Sequence, residues 1–201
     1  MTRSSPAPTA GSNSPERALL RPERLFTAAE VRERDCPIPK AAGVYAWYFD
    51  APPVPVPVGG CHVVDGWTLL YVGISPKSDA SRQTIRSRIR YHYRGNAYGS
   101  TLRLTLGCLL ADEIGIGLRR VGSGTRLTFG ADGEARLSAW MAEHARVVWV
   151  VTGEPWLLEE RLIREQTLPL NLDQNRHSPF HQQLSALRAE QRARARQGPI
   201  P

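Results

Sequence analysis

The sequence predicts an α+β fold: a small, mostly antiparallel sheet of three strands flanked by helices, with a helix–hairpin–helix-like insertion and a C-terminal helix. Three observations predict it. Apolar runs at residues 43–49, 67–72 and 146–151 have strand length and are rich in β-branched and aromatic residues. Helical periodicity marks residues 84–93, where Ile85, Ile89 and Tyr93 fall on one stripe, and residues 155–165, where Trp156, Leu158, Leu162 and Ile163 share a face. The order is strand, strand, helix, insertion, strand, helix.

Composition narrows the class of partner. The 201 residues carry a formal net charge of +7 and a pI near 9.8, which favours polyanions, nucleic acid first. The cations cluster at residues 86–94 and 188–196. Cys36, Cys61 and Cys108 are scattered and odd in number, so they fit neither a disulfide framework nor a metal-binding Cys pair. They read as reduced thiols of a cytoplasmic protein. No apolar run approaches the ~18 residues of a membrane span, and the N-terminus lacks the apolar segment of a secretory signal.

Residues 1–20 are rich in Ser, Pro and Ala and read as a disordered tail. Thr27 with Glu30 is a capping-box pattern for a short helix closed by Pro37 and Pro39. Residues 50–60 alternate Val and Pro, which excludes a central strand and leaves a surface loop. Ser78 or Asp79 is expected to cap the helix that ends near Gly95. In the insertion, residues 96–145, the spacing of Leu102, Leu106, Leu109 and Leu110 predicts a helix. Gly122-Ser123-Gly124 predicts a hairpin, and residues 134–144 a second helix. Pro155 suits the first position of the next helix. Ser178-Pro179 opens a C-terminal helix with Phe180, Leu184 and Leu187 inward and a frayed, arginine-rich end.

Two features go beyond a fold. On the 84–93 helix, Arg88 and His92 lie four residues apart along one edge of the apolar stripe, beside the end of the Tyr71-Val72-Gly73 strand. On the 155–165 helix, Glu159 lies in angle between Leu162 and Ile163, whereas Glu160 lies off that face. A carboxylate within an apolar face costs several kcal/mol unless it is paired or binds a cation.

With Gly43-Val44-Tyr45, Tyr71-Val72-Gly73, Arg88, His92, Glu159 and Asn171 in this order, the chain resembles the GIY-YIG nuclease family. The two tripeptides match the halves of the family name, and the other four residues match its later signature positions. The tripeptides are joined by a longer segment than the family's usual tight hairpin. The resemblance implies that Tyr45, Tyr71, Arg88, His92, Glu159 and Asn171 are catalytic, with Gly43 and Gly73 as motif glycines, and that residues 21–178 form the nuclease domain. It implies a metal-dependent endonuclease acting on DNA. Glu159 would hold Mg²⁺ (or Mn²⁺), with waters completing the shell. Arg88 would bind a phosphate oxygen, and His92 would pass a proton or bind phosphate. Either tyrosine could be the general base, with Tyr45 favoured and Tyr71 orienting. Asn171 would hold hydrogen bonds of the site, and Gly73 would let phosphate approach the backbone.

Arg86, Arg90, Arg94, Arg119, Arg120 and Arg126 are expected to contact phosphates. No small-molecule cofactor, membrane contact or oligomeric state is indicated. Taken singly, the tyrosines are core aromatics, Arg88 a solvated helix charge, His92 a structural histidine, Glu159 a salt-bridging residue and Asn171 a turn residue. Two other readings share the same basic surface: a catalytically silent nucleic-acid-binding module, and an adaptor whose basic C-terminal helix, in residues 179–201, docks an acidic protein.

Overall fold

The computed structural model describes residues 14–78 and 80–200. In chain order the elements are α1 (Pro15–Leu20), α2 (Ala28–Arg32), β1 (Gly43–Phe49), β2 (Val63–Val64), β3 (Trp67–Ser75), α3 (Ile85–Arg94), α4 (Thr101–Leu109), β4 (Arg119–Val121), β5 (Arg126–Thr128), α5 (Gly130–His144), β6 (Ala145–Val151), α6 (Pro155–Glu165) and α7 (His181–Gln197). The main sheet has four antiparallel strands in the order β2-β3-β1-β6, not three. The extra strand is the two-residue β2, built from the end of the long loop after β1, a stretch too short to leave a periodic signal.

β1 is buried along its whole length, as the central strand of a sheet covered on both faces must be. Tyr45, Trp47 and Phe49 face the larger core with α2, α3, α4, α5 and α7; Val44, Ala46 and Tyr48 face the smaller core with α1 and α6. Between Trp47 and Tyr48 the β1–β3 register slips by one residue, leaving Leu70 as the extra residue of a bulge. Leu70 and Tyr71 therefore both turn towards the larger core, and the strand is re-aimed just where its motif begins.

Several sequence expectations need correction. Residues 15–20 of the expected tail form α1, because Leu19 is fully buried in the smaller core and Ser14 caps the helix; residues 1–13 lie outside the described residues. The cap of α3 is Thr84, whose hydroxyl accepts from Ser87 N, rather than Ser78; Asp79 lies outside the described residues. α5 begins at Gly130, four residues earlier than expected, after Phe129 seats its ring in the core. The C-terminal helix runs unbroken to Gln197, since Leu184, Arg188 and Ala195 form a buried stripe along it.

The insertion is built around one buried ion pair between α4 and α5, which also reaches α3. Arg103 on α4 is fully buried and gives two N–H groups to Glu134 Oε2 on α5, at 3.0 and 2.6 Å. Its remaining bonds go to the Glu134 carbonyl, the Ser138 hydroxyl and the carbonyl of His92. The other oxygen of Glu134 accepts from Ala97 N and Phe129 N. Removing one partner of such a pair strands a buried charge. Arg103→Met is expected to destabilise the protein by about 3–5 kcal/mol, measured by urea unfolding. A loss below about 1 kcal/mol, the level of an exposed pair, would contradict this assignment.

Candidate active site

A cavity of about 260 Å³ opens where β3, α4, α6 and α7 converge. Tyr71 and Ile74 line it from β3, Thr101 and Thr105 from α4, and Trp156, Glu159 and Ile163 from α6. Residues 170–174, Lys77 and Arg188 complete it. The structure thus brings Tyr71, Glu159 and Asn171 to one wall and sets Tyr45, Arg88 and His92 one layer deeper.

The deep layer is a chain of polar groups inside the larger core. Tyr45 Oη and His92 Nε2 are 2.9 Å apart, and His92 Nδ1 is 2.7 Å from Ser100 Oγ. All three residues are buried. Ser100 is also the N-cap of α4, accepting from Arg103 N. Arg88 gives Nη1–H to the carbonyl of Gly99 at 2.7 Å, while its buried Nε has no partner. The Tyr71 hydroxyl is 3.5 Å from the Thr101 hydroxyl at the cavity wall.

Burial sets the charge state of each group. Burial, and then the cations Arg88, Arg103 and Lys77, hold the His92 imidazole well below its usual range, so it is neutral. Burial and then Tyr71 push the Tyr45 phenol far up, with Arg88 pulling it back. Burial also raises Tyr71, opposed by the Thr101 hydroxyl and Arg88. Glu159 is pushed up to about 7 by burial; Lys77 lowers it and Asp173 raises it. The sequence expectation that Glu159 interrupts an apolar face holds, with Leu158, Leu162 and Ile163 buried beside it. Trp156, expected on that buried face, is 45 % exposed because the first turn of α6 borders the open cavity.

The motif residues also build the fold. Asn171 clamps the backbone of Val72 as a neighbouring strand would: Val72 N donates to Oδ1 at 3.0 Å, and Nδ2 donates to the Val72 carbonyl at 2.9 Å. β2 covers only the start of β3, so this side chain and the bond from Leu170 N to the Leu70 carbonyl satisfy the open edge. Gly73 is explained by packing rather than by an approaching phosphate. The Tyr45 ring lies across it, and a Cβ there would sit 2.7 Å from Tyr45 Oη. At Gly43, a Cβ would collide with the backbone of Val150 on β6.

The six cations expected on phosphates divide. Arg86 donates to the carbonyls of Ile38 and Cys36, and Arg90 to those of Val31 and Glu33. These guanidinium groups satisfy carbonyls at and beyond the end of α2, which lack helical partners. Both also line an open pocket with Lys40, Arg82 and Arg94. Arg120 donates to the carbonyl of Gly198, and Arg126 stands over the Tyr98 ring at 5.5 Å to the centroid. Arg94 and Arg119 are exposed.

Sequence reasoning missed Ser100, Thr101, Lys77, Asp173 and Arg188 as members of the site. Ser100 was legible as a cap, since a Ser precedes an apolar-periodic run. Arg188 was hidden in a basic stretch, its one signal being the i,i+4 relation to Leu184.

The decisive comparison is with protein families. The description GIY-YIG catalytic domain belongs to a family model that matches residues 43–190 of this chain. The chain belongs to the GIY-YIG family. No curated protein and no solved structure matches it. In this GIY-YIG domain the matched span runs from the first residue of β1 into α7, so it includes the insertion and Arg188. The family is typically one of endonucleases. Among the described residues no helix is long and apolar enough to cross a membrane.

The neutral, buried His92 makes stability depend on pH. Its folded pKa is depressed, so the unfolded chain binds the proton first as pH falls below about 6.5. The contribution is present above that pH and lost as pH falls towards the folded value. The stability advantage of the parent over His92→Gln is therefore expected to shrink from pH 7.5 to about 5. Taking the difference between the two proteins cancels the opposite trend of Glu159, whose raised pKa is common to both. A difference in urea unfolding energy that stays level over this range would show that His92 is not held neutral.

Proposed function

We propose that this GIY-YIG domain is a metal-dependent endonuclease that hydrolyses DNA phosphodiester bonds, with Mg²⁺ (or Mn²⁺) at Glu159. The single observation that carries the reading is Glu159 itself. It is a part-buried carboxylate on an apolar helix face, it opens onto the same cavity as Tyr71, and its charge is unfavourable without a cation. Among the described residues no three His, Cys, Asp or Glu side chains are grouped to hold a metal. The donor set is Glu159 with Asp173 on the same cavity wall. It fits a hard divalent ion that keeps most of its waters and takes its other ligands from substrate phosphate.

When bound, that ion supplies positive charge to the phosphoryl oxygens and lowers the pKa of its water. The chain's residues do the rest. Tyr71, not Tyr45, has its hydroxyl at the cavity wall and takes or holds the proton of the attacking water. Tyr45 is sealed behind it and positions His92, which reverses the roles expected from the sequence. Arg88 lowers the pKa of Tyr71, and its Nε–H, without a partner among the described residues, is the donor left for a phosphate oxygen. Asn171 fixes the strand that bears Tyr71. The net positive charge favours a polyanionic substrate, and the three free cysteines are in keeping with a cytoplasmic location.

The test is Mg²⁺-dependent cleavage of plasmid, branched, flapped and single-stranded DNA by the parent, Glu159→Gln and Glu160→Gln. Glu159→Gln is expected to bind DNA as the parent does and to lose at least about a hundredfold in cleavage rate, because a neutral amide is a poor ligand for a hard cation. Glu160→Gln, on an exposed position, keeps the parental rate. Parental cleavage by Glu159→Gln would remove the metal assignment. DNA retention without cleavage by the parent would identify a silent binding module instead.

A further inference from the structure

We propose that Arg188 of the C-terminal helix is a substrate-binding residue, holding a phosphate of the DNA strand next to the one being cut. The inference rests on the nuclease reading and adds to it a second anion site, on an element outside the motif residues.

Arg188 is only 8 % exposed, and it lines the cavity from α7. Its buried Nε has no hydrogen-bond partner among the described residues. It takes part in no ion pair among the described residues. An unpaired guanidinium in such a place opposes folding, and an apolar side chain would fill the same stripe beside Leu184 at less cost. Of the other two buried arginines, Arg88 bonds the carbonyl of Gly99 and Arg103 is saturated with acceptors. Arg188 differs from them in opening onto a cavity. The missing acceptor is supplied by an anion entering that cavity. A phosphodiester has two acceptor oxygens in the geometry that a guanidinium fork matches.

The position selects a flanking phosphate over the reacting one. The groups that sense Arg88 are Tyr45, Tyr71 and His92. Arg188 shares the lining of the cavity with Tyr71, Glu159 and Asp173. Tyr71 alone is common to both. Arg188 lines the cavity together with Asp173, whereas Arg88 lies one layer deeper, bonded to the carbonyl of Gly99. A strand entering the cavity presents its reacting phosphate beside Tyr71 and Glu159 and a neighbouring one to Arg188.

The experiment measures binding of a short fluorescein-labelled oligodeoxynucleotide, single-stranded and duplex, by anisotropy over a range of salt. Arg188→Gln and Arg188→Lys are compared in the Glu159→Gln background, and thermal unfolding is followed for each. Arg188→Gln is expected to weaken binding by about tenfold or more and to flatten the duplex salt slope by about 0.9, one phosphate contact. Its Tm is expected to hold or rise, since an unpaired buried charge is removed. Arg188→Lys recovers part of the affinity as a point charge. With Glu159 intact, Arg188→Gln raises KM by more than it lowers kcat. Unchanged affinity and salt slope would overturn the inference and leave the nuclease reading standing. A lowered Tm in both variants with parental affinity would also overturn it, making Arg188 a structural residue. Arg188-dependent binding by a parent protein that cleaves no substrate would keep this site and sink the nuclease reading.

Discussion

The arrangement of this domain depends on one requirement: the polar groups on and around α3 are buried and must find acceptors and donors inside the core. Arg88 and His92 are drawn to the boundary of an apolar stripe, and the sheet then covers them. An isolated buried imidazole or guanidinium would destabilise the fold by several kcal/mol. Relief comes from the insertion. Gly99 accepts from Arg88, Ser100 pairs with His92, and Arg103 takes the His92 carbonyl. Glu134 then neutralises Arg103 and also holds Ala97 N, fixing the chain between α3 and α4. The ion pair is therefore a condition for placing the histidine, and its burial is tolerable because nearly every lone pair and N–H around it is used.

The motif glycines and the asparagine look different in this light. Tyr45 needs room for its ring over β3, and Gly73 is that room. The bulge at Leu70 turns Tyr71 to the same side, so both phenols converge on His92 from adjacent strands, with ring centroids 5.4 and 6.3 Å away. Asn171 completes the unpaired edge of β3 with its side chain. A residue type demanded by chemistry and one demanded by backbone geometry thus alternate along a single strand.

The three long strands, the helices and their order were legible because each carries a strong period: continuous apolar residues in the buried strands, and stripes of Ile85, Ile89 and Tyr93 or Leu158, Leu162 and Ile163 in the helices. β2 was not legible, since two residues cannot show a period. α1 was hidden by its neighbourhood of Ser, Pro and Ala, although Leu19 is the one residue it needs in the core. At the site, the family pattern located Tyr71, Arg88, His92 and Glu159, but pattern carries no depth. Whether a tyrosine is sealed or reaches a cavity depends on what covers it, and Tyr45 is covered by elements far away in sequence. The charge runs were only partly legible for a similar reason. Arg86 and Arg90 look like a phosphate-binding face, and they also meet carbonyls at and beyond the end of α2, whose position only the fold defines. Arg188 is the reverse case, a cation of a basic tail in the sequence and a cavity wall in the fold.

The insertion and the C-terminal helix therefore belong to the site as much as the motif does. Tyr71 faces Thr101, the first residue of α4, and the cavity floor includes Thr105 one turn later. α4 in turn is held from one side by α5 through Arg103 and Glu134, and from the other it meets α7, whose Arg188 closes the cavity. The strand–helix motif by itself supplies a tyrosine, a histidine and an arginine with unsatisfied polar atoms. The insertion satisfies most of them, leaving Arg88 Nε open, and the last helix adds a guanidinium that no described residue satisfies. A buried donor left open at the end of such a thoroughly paired network is where a ligand's charge has most to gain, because it displaces no internal partner. Among the described residues, the polar inventory followed outward from His92 thus runs from the paired imidazole and the Arg103–Glu134 ion pair to open guanidinium donors, Nε of Arg88 behind the tyrosines and Nε of Arg188 at the cavity.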